Sequence, residues 1–116
     1  MSVNDGFRTF VLEQLARTTP GLRARSMFGG VGIYAGDLFF ALMHDEVLYF
    51  KVDDHTRGRF EELGMEPFRP RGDGGEVMQH YEVPADVLED AEALAPWAVR
   101  AVEVARRART RKRPAR

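Results

Sequence analysis

Residues 31–52 read VGIYAGDLFFALMHDEVLYFKV, and this stretch decides the fold. Two short polar segments, 35–37 and 44–46, divide it into three apolar runs of strand length. Gly36 can take the positive φ that a tight hairpin requires. The middle run is apolar at every position, which is typical of a central strand. Strands at 28–34, 38–43 and 47–52, joined by short turns, therefore predict an antiparallel meander.

The sequence before this stretch predicts a helix and an edge strand. Apolar residues recur at a spacing of 3.6 from Asn4 or Asp5, either of which can cap a helix, until a Thr-Thr-Pro-Gly segment ends the pattern. Residues 22–27 then alternate arginine with apolar or small side chains, which favours a half-exposed edge strand.

Two extended segments and a short helix are predicted after the meander. Asp53 has the position of a cap for a helix that ends at Leu63. Extended segments follow near 65–68 and over 76–83. The segment between them, 69–75, is rich in glycine and proline, and we expect a mobile loop there.

The last predicted helix carries a proline close to its start. Its apolar stripe consists of Leu94, Trp97, Ala101, Val104 and Ala108. If Asp90 caps this helix, Pro96 lacks an amide donor and clashes with the carbonyl of Glu92, so we expect a kink or a restart. These elements predict an α+β domain with a largely antiparallel sheet of about five strands, and with helices at both chain ends packed on the sheet.

Charge divides the chain into a predicted domain at 1–105 and a predicted flexible basic tail at 106–116. The tail has seven basic and no acidic side chains, which leaves ten basic against 18 acidic ones in the domain. Such a tail can bind phosphates by releasing counterions, without sequence preference. The alternative is a solvated extension, or one that docks on the acidic domain. The candidate nucleic-acid-binding residues are Arg106, Arg107, Arg109, Arg111, Lys112, Arg113 and Arg116.

Composition excludes several kinds of chemistry. The chain has no cysteine, which rules out disulfides, cysteine-ligated zinc and a thiol nucleophile. Its three histidines lack the spacing of metal ligands, and Ser26 is not in the sequence context of a catalytic serine. We therefore predict no catalytic residues, no metal and no cofactor. No signal peptide or membrane-spanning run is recognisable, so we expect a cytoplasmic protein without a membrane partner.

Three glycines between 29 and 32 weaken a strand and indicate that another group approaches closely there. In an extended chain Gly30 and Gly32 share a face with Tyr34. One interpretation is structural: a β-bulge, or a slot for a helix side chain such as Trp97. The other is a groove that admits a ligand or a partner backbone. The candidate groove residues are Met27, Phe28, Gly29, Gly30, Gly32 and Tyr34.

A family resemblance rests on motifs at defined distances. Arg25-Ser-Met-Phe-Gly-Gly-Val-Gly-Ile-Tyr34 is followed by Leu48-Tyr-Phe-Lys-Val-Asp53 and by Tyr81-Glu-Val-Pro84. Over about Asp5 to Ala105 the chain resembles the N-terminal domain of the TfoX/Sxy family. The resemblance implies an α+β domain with an antiparallel sheet and no catalytic residues. Here it predicts a stand-alone domain, without the C-terminal domain of longer members.

The function that the resemblance implies is regulation. Its members include bacterial regulators of competence for DNA uptake that act with the cAMP receptor protein at certain promoters. We therefore expect a non-enzymatic regulatory domain that binds a protein partner at the transcription machinery, with weak DNA contact by the tail. The alternative is a small-molecule binder or enzyme with a pocket bounded by the glycine strand, Tyr34, Tyr49 and the loop at 69–75. A third interpretation is self-association through the edge strand at 22–27.

Overall fold

The protein is an α+β domain in a computed structural model that describes residues 4–27, 29–70 and 78–112, the side chains of 111 and 112 excepted. Its described elements are α1 (Asp5–Ala16), β1 (Leu22–Met27), β2 (Gly30–Ala35), β3 (Leu38–His44), β4 (Val47–Lys51), α2 (Arg57–Glu62), β5 (His80–Glu82), α3 (Ala85–Leu88) and α4 (Ala91–Lys112). The five strands form one sheet in the order β1-β2-β3-β4-β5, and every neighbouring pair is antiparallel. The predicted fold class and the meander are confirmed.

Tight turns join the first four strands. Gly36, with φ 62°, closes the β2–β3 hairpin as predicted, and Asp45 and Glu46 close the next one at φ 50° and 62°. Gly29, with φ 76°, lies in a further tight turn between β1 and β2. Strand β2 consequently begins at Gly30 and not at Phe28, which itself lies outside the described residues.

A bulge in β3 lets two adjacent apolar residues of this strand face the core. Ile33 pairs with Ala41 but Tyr34 pairs with Phe39, which leaves Phe40 as the extra residue. Phe40 and Ala41, although adjacent, both belong to the core and have no exposed surface. The alternation of side chains between the two faces of the sheet therefore shifts by one residue at this point of β3.

The core lies between the sheet and the terminal helices. Helix α1 begins as predicted, since the Asn4 side chain accepts a hydrogen bond from the amide of Phe7 at 2.8 Å. Val11 and Leu15 of this helix are fully buried. The buried Gln14 side chain donates to the carbonyl oxygen of Leu88 at 2.8 Å, which links α1 to α3.

Helix α4 is a single element, so of the predicted kink or restart at Pro96 the restart is wrong, and the kink stays a prediction. The Asp90 carboxylate accepts hydrogen bonds from the amides of Glu92 and Ala93, as the cap prediction requires. Leu94 and Trp97 are both buried, so packing on the core holds the helix on either side of the exposed proline. The helix continues to Lys112. The limits and the flexibility of the predicted tail stay predictions.

The segment between β4 and α4 differs from its prediction in three places. Asp53 closes a turn by accepting from the amides of His55 and Thr56, so the helix begins only at Arg57. The expected strand near 65–68 is reduced to a bridge between Pro67 and Tyr81, and the later strand spans only 80–82. Helix α3 was not predicted. Most of the predicted mobile loop, residues 71–75, lies outside the described residues.

Candidate functional site

The glycines of β2 make room for neighbouring strands. A Cβ atom on Gly30 would overlap the backbone carbonyl oxygen of Met43. One on Gly32 would overlap the sulfur of Met27 and would come within 3.3 Å of the Phe39 ring. These neighbours are a strand carbonyl and side chains of the sheet. The predicted close approach at these glycines is therefore present, but the groups that approach belong to the sheet and do not include Trp97.

Aromatic side chains cover the sheet face that turns away from α4. The Phe39 ring lies 5.3 Å from Tyr34 and 5.2 Å from His80, measured between ring centroids. Phe68 comes from the segment after α2 and packs on the Tyr49 ring at 5.0 Å. Of the predicted groove, Met27, Gly30, Gly32 and Tyr34 lie next to this layer. Whether the layer admits a ligand stays a prediction.

His80 is the most unusual side chain of this layer. It is 2% exposed, and within the described part of the chain neither ring nitrogen has a hydrogen-bond partner. Burial lowers the pKa of His80 to about 3, and the positive charge of Lys51 on the paired strand acts in the same direction. The imidazole is therefore neutral at physiological pH. The sequence did not single out His80, because an isolated histidine carries no pattern.

The other two histidines lie on separate elements. His44, at the end of β3, has its Nδ1 3.4 Å from an Asp45 oxygen. His55 is exposed in the turn before α2. Among residues 4–27, 29–70 and 78–112, no three histidine and carboxylate side chains are grouped in a way that could hold a metal ion. Within the same ranges, no helix is long and apolar enough to cross a membrane.

The first three arginines of the predicted tail are held by carboxylates. Arg106 pairs with Glu103 of its own helix, whereas Arg107 pairs with Asp53 and Arg109 with Asp37, each at 2.7 Å. The last two pairs tie α4 to the turns after β4 and β2. The side chains of Arg111 and Lys112, and all of Arg113 and Arg116, lie outside the described residues.

Asp53 is the most buried of these carboxylates. Burial alone would raise its pKa, but the hydrogen bonds from Arg107, His55 and Thr56 and the charge of Arg107 outweigh that effect and lower the pKa. The carboxylate is only 10% exposed, whereas its partner Arg107 is 44% exposed. The hydrogen bonds of the turn thus hold the Asp53 carboxylate in place to bind Arg107 of α4.

A cavity of about 230 Å³ lies between α2, α4 and the end of β4. Its apolar wall includes Phe60 and Trp97, and its basic lining includes Lys51, Arg59 and Arg100. A second and shallower hollow of about 470 Å³ lies between α4 and the turns at 18–21 and 35–36. Neither was predicted. The first is formed by residues of α2 and α4 that are about forty positions apart in the sequence.

The fold and these surfaces define a small α+β domain, an antiparallel meander covered on one face by helices, with a basic helix end held against an acidic body. Comparison with known proteins places it more closely. Residues 13–105 match the model of the TfoX N-terminal domain, and the chain belongs to that family.

A named relative matches part of the chain. The DNA transformation protein TfoX1 of Aliivibrio fischeri (strain ATCC 700601 / ES114) is 49% identical over 45 residues. This stretch makes up 39% of the present chain and 22% of that protein. The match therefore covers less than a quarter of the curated relative.

Proposed function

We propose that this chain is a regulatory domain in DNA transformation that acts by binding macromolecules and not by catalysis. The family and the name of the relative support the biological role. The observation that carries the binding mode is the separation of charge, with seven cations in the last eleven residues of an otherwise acidic chain. In this proposal a protein partner at the transcription machinery supplies specificity, and the basic end adds weak contact to DNA.

The ion pairs of α4 divide the basic end into two parts. Arg107 and Arg109 already have carboxylate partners on the body, so DNA would have to displace Asp53 and Asp37. Repulsion between these carboxylates and a phosphate backbone opposes that exchange. We therefore assign the DNA contact to the remaining cations at the chain end, which are Arg111, Lys112, Arg113 and Arg116.

The test compares two sets of charge-neutralising substitutions in the full chain. One variant replaces the four terminal cations with glutamine, and its matched control replaces Arg106, Arg107 and Arg109 with glutamine. Binding to a labelled mixed-sequence duplex is measured by fluorescence anisotropy over a series of salt concentrations. We expect the wild-type Kd to lie near 10⁻⁴–10⁻⁶ M at physiological salt, roughly the range of non-specific binding.

The salt dependence identifies which charges contact DNA. Losing four phosphate contacts lowers the slope of log K against log salt by about 3 to 4, since each contact contributes about 0.9. The control set should change this slope less. Equal binding by wild type and the four-residue variant would refute the DNA part of the proposal.

The partner part is tested separately. A tagged full chain is used to capture proteins from the native cell, beside the tag alone. Enrichment of a component of the transcription machinery supports the proposal. Capture of the same proteins by the tag alone contradicts it, whatever the result with DNA.

A further inference from the structure

The cavity between α2 and α4 combines an aromatic wall with a basic rim. Trp97 is 8% exposed and Phe60 5%, and their rings meet edge to face with centroids 4.9 Å apart. The Arg59 guanidinium lies 5.2 Å from the centroid of the Trp97 ring. A planar cation held over a buried indole is pre-positioned by packing, and it loses little freedom when it binds an anion.

The ionisable groups that line this cavity are all basic or histidine. They are Lys51, His55, Arg59 and Arg100, and among the residues that the structure describes no carboxylate lines the cavity. This is unexpected in the part of the chain up to residue 105, where acidic side chains outnumber basic ones by 18 to ten.

Arg59 and Arg100 differ from neighbouring arginines in their pairing. Arg57, next to the cavity, is bound to Asp54 at 2.7 Å, and Arg107 on α4 is bound to Asp53. Within the part of the chain that the structure describes, neither Arg59 nor Arg100 forms an ion pair. Their donors thus remain available to an anion from outside.

We propose that this cavity binds a small organic anion, in which a carboxylate or phosphate group meets Arg59 and Arg100 and a flat apolar part packs against Trp97. The volume of about 230 Å³ lies below the range of roughly 300–1,000 Å³ that drug-sized ligands occupy, so the ligand is small. Guanidinium groups bind both kinds of oxyanion in a bidentate manner. This site goes beyond the proposed regulatory role and does not depend on DNA binding.

Trp97 provides a direct readout, because it is the single tryptophan of the chain. Its fluorescence and the NMR signal of its indole N–H are followed while the full chain is titrated with phenyl phosphate, with benzoate, or with benzyl alcohol as a neutral analogue. We expect saturable changes with at least one of the two anions, weaker binding at higher salt, and no saturable change with benzyl alcohol. Saturation by phenyl phosphate alone assigns a phosphate ligand, and saturation by benzoate alone assigns a carboxylate ligand. Saturation by both supports an anion site in general.

Two double variants locate the binding. Arg59→Gln with Arg100→Gln should raise the Kd about tenfold or more, since both charge-assisted contacts are lost. The matched control combines Arg17→Gln with Arg25→Gln, two exposed arginines away from the cavity, and should keep the wild-type Kd. Circular dichroism checks that both variants are folded. An unchanged Kd in the cavity variant, equal binding of benzyl alcohol, or no saturation by either anion would overturn the proposal.

Discussion

Gly30 is crowded by neighbouring atoms and Gly58 is not, so substitution by alanine should change the stability of the protein in opposite directions at the two positions. A Cβ atom on Gly30 meets a strand carbonyl that cannot move without shifting the ladder, so we expect Gly30→Ala to lower the free energy of unfolding by about 2–3 kcal/mol. Gly58, in α2, has no neighbouring atom within 4 Å of such a Cβ. Gly58→Ala should raise the free energy of unfolding by about 0.5–1 kcal/mol.

Urea denaturation measures both effects, and Gly32→Ala provides an intermediate case. Its Cβ would overlap the Met27 sulfur, which lies at the end of a flexible side chain, so a loss of about 1 kcal/mol is expected. If Gly30→Ala proves as stable as the wild type, the strand contact is not what requires glycine there.

His80 should make the domain sensitive to acid. Its pKa in the folded protein is about 3, whereas an unperturbed histidine in the unfolded chain titrates near 6.5. As the pH falls through this interval, the unfolded state binds a proton that the folded state does not bind. Stability therefore falls with decreasing pH, by up to about 1.4 kcal/mol per pH unit, until the folded imidazole also titrates.

The variant His80→Leu removes this titration and should flatten the pH dependence. Thermal or urea unfolding between about pH 5 and 6 isolates the effect, because carboxylates are largely ionised there. His55→Gln, at an exposed position, is the control and should retain the wild-type slope. A wild-type slope in the leucine variant would show that another group is responsible.

Individual residues were the least predictable part of the molecule. The presence of three glycines between 29 and 32 was enough to predict that another group approaches closely there. The identity of the approaching groups depends on the register of β2 with its neighbours, which no local pattern specifies. The cavity between α2 and α4 could not be predicted for a related reason. Arg59 and Trp97 come into contact only when these two helices pack together.

Helix α4 tolerates Pro96 because its buried side chains hold it to the sheet. The proline nevertheless removes one backbone hydrogen bond on an exposed flank. We expect Pro96→Ala to raise the free energy of unfolding by about 1–2 kcal/mol, less than the roughly 3 kcal/mol of an isolated helix because the unfolded chain also gains freedom. Urea denaturation measures the gain.

Pro70→Ala serves as the control for this effect on the unfolded chain. Pro70 is exposed in a turn outside the helices, so its replacement should leave stability unchanged or lower it by up to about 1 kcal/mol. A loss of stability in Pro96→Ala would mean that the proline fits the helix without strain.

Elements with a repeated pattern were predictable, and short or irregular ones were not. The three apolar runs and two short polar segments of residues 31–52 located three strands and two turns. The bulge at Phe40 arises from pairing and leaves no local signal, because an apolar residue is acceptable on either face there. Helix α3 has only four residues, too few to show a helical period.

At the scale of the whole molecule, the buried face of α4 predicts which shortened chains can fold. Among its side chains that the structure describes, the last two buried ones are Val104 and Ala105. A chain that ends at Ala105 keeps them and loses the Arg107–Asp53 and Arg109–Asp37 pairs, so a loss of about 1 kcal/mol is expected. A chain that ends at Ala95 lacks Trp97 and all later core positions and should not fold.

Far-ultraviolet circular dichroism and thermal melting distinguish these outcomes. A cooperative transition in the chain that ends at Ala95 would contradict the role assigned to the helix. A cooperative transition in the chain that ends at Ala105 would make this chain a folded control for measurements of DNA binding.

Helix α4 follows the strands in the sequence, and this order has a consequence for synthesis in the cell. The five strands that the structure describes pair within residues 22–82, so the sheet can assemble while the ribosome is still translating α4. Its helix-facing side, with Phe40 and Phe50, lacks the cover of α4 until residues 91–112 have left the exit tunnel. During that interval the nascent chain exposes an aromatic surface of the kind that chaperones bind. Packing of α4 then covers this surface.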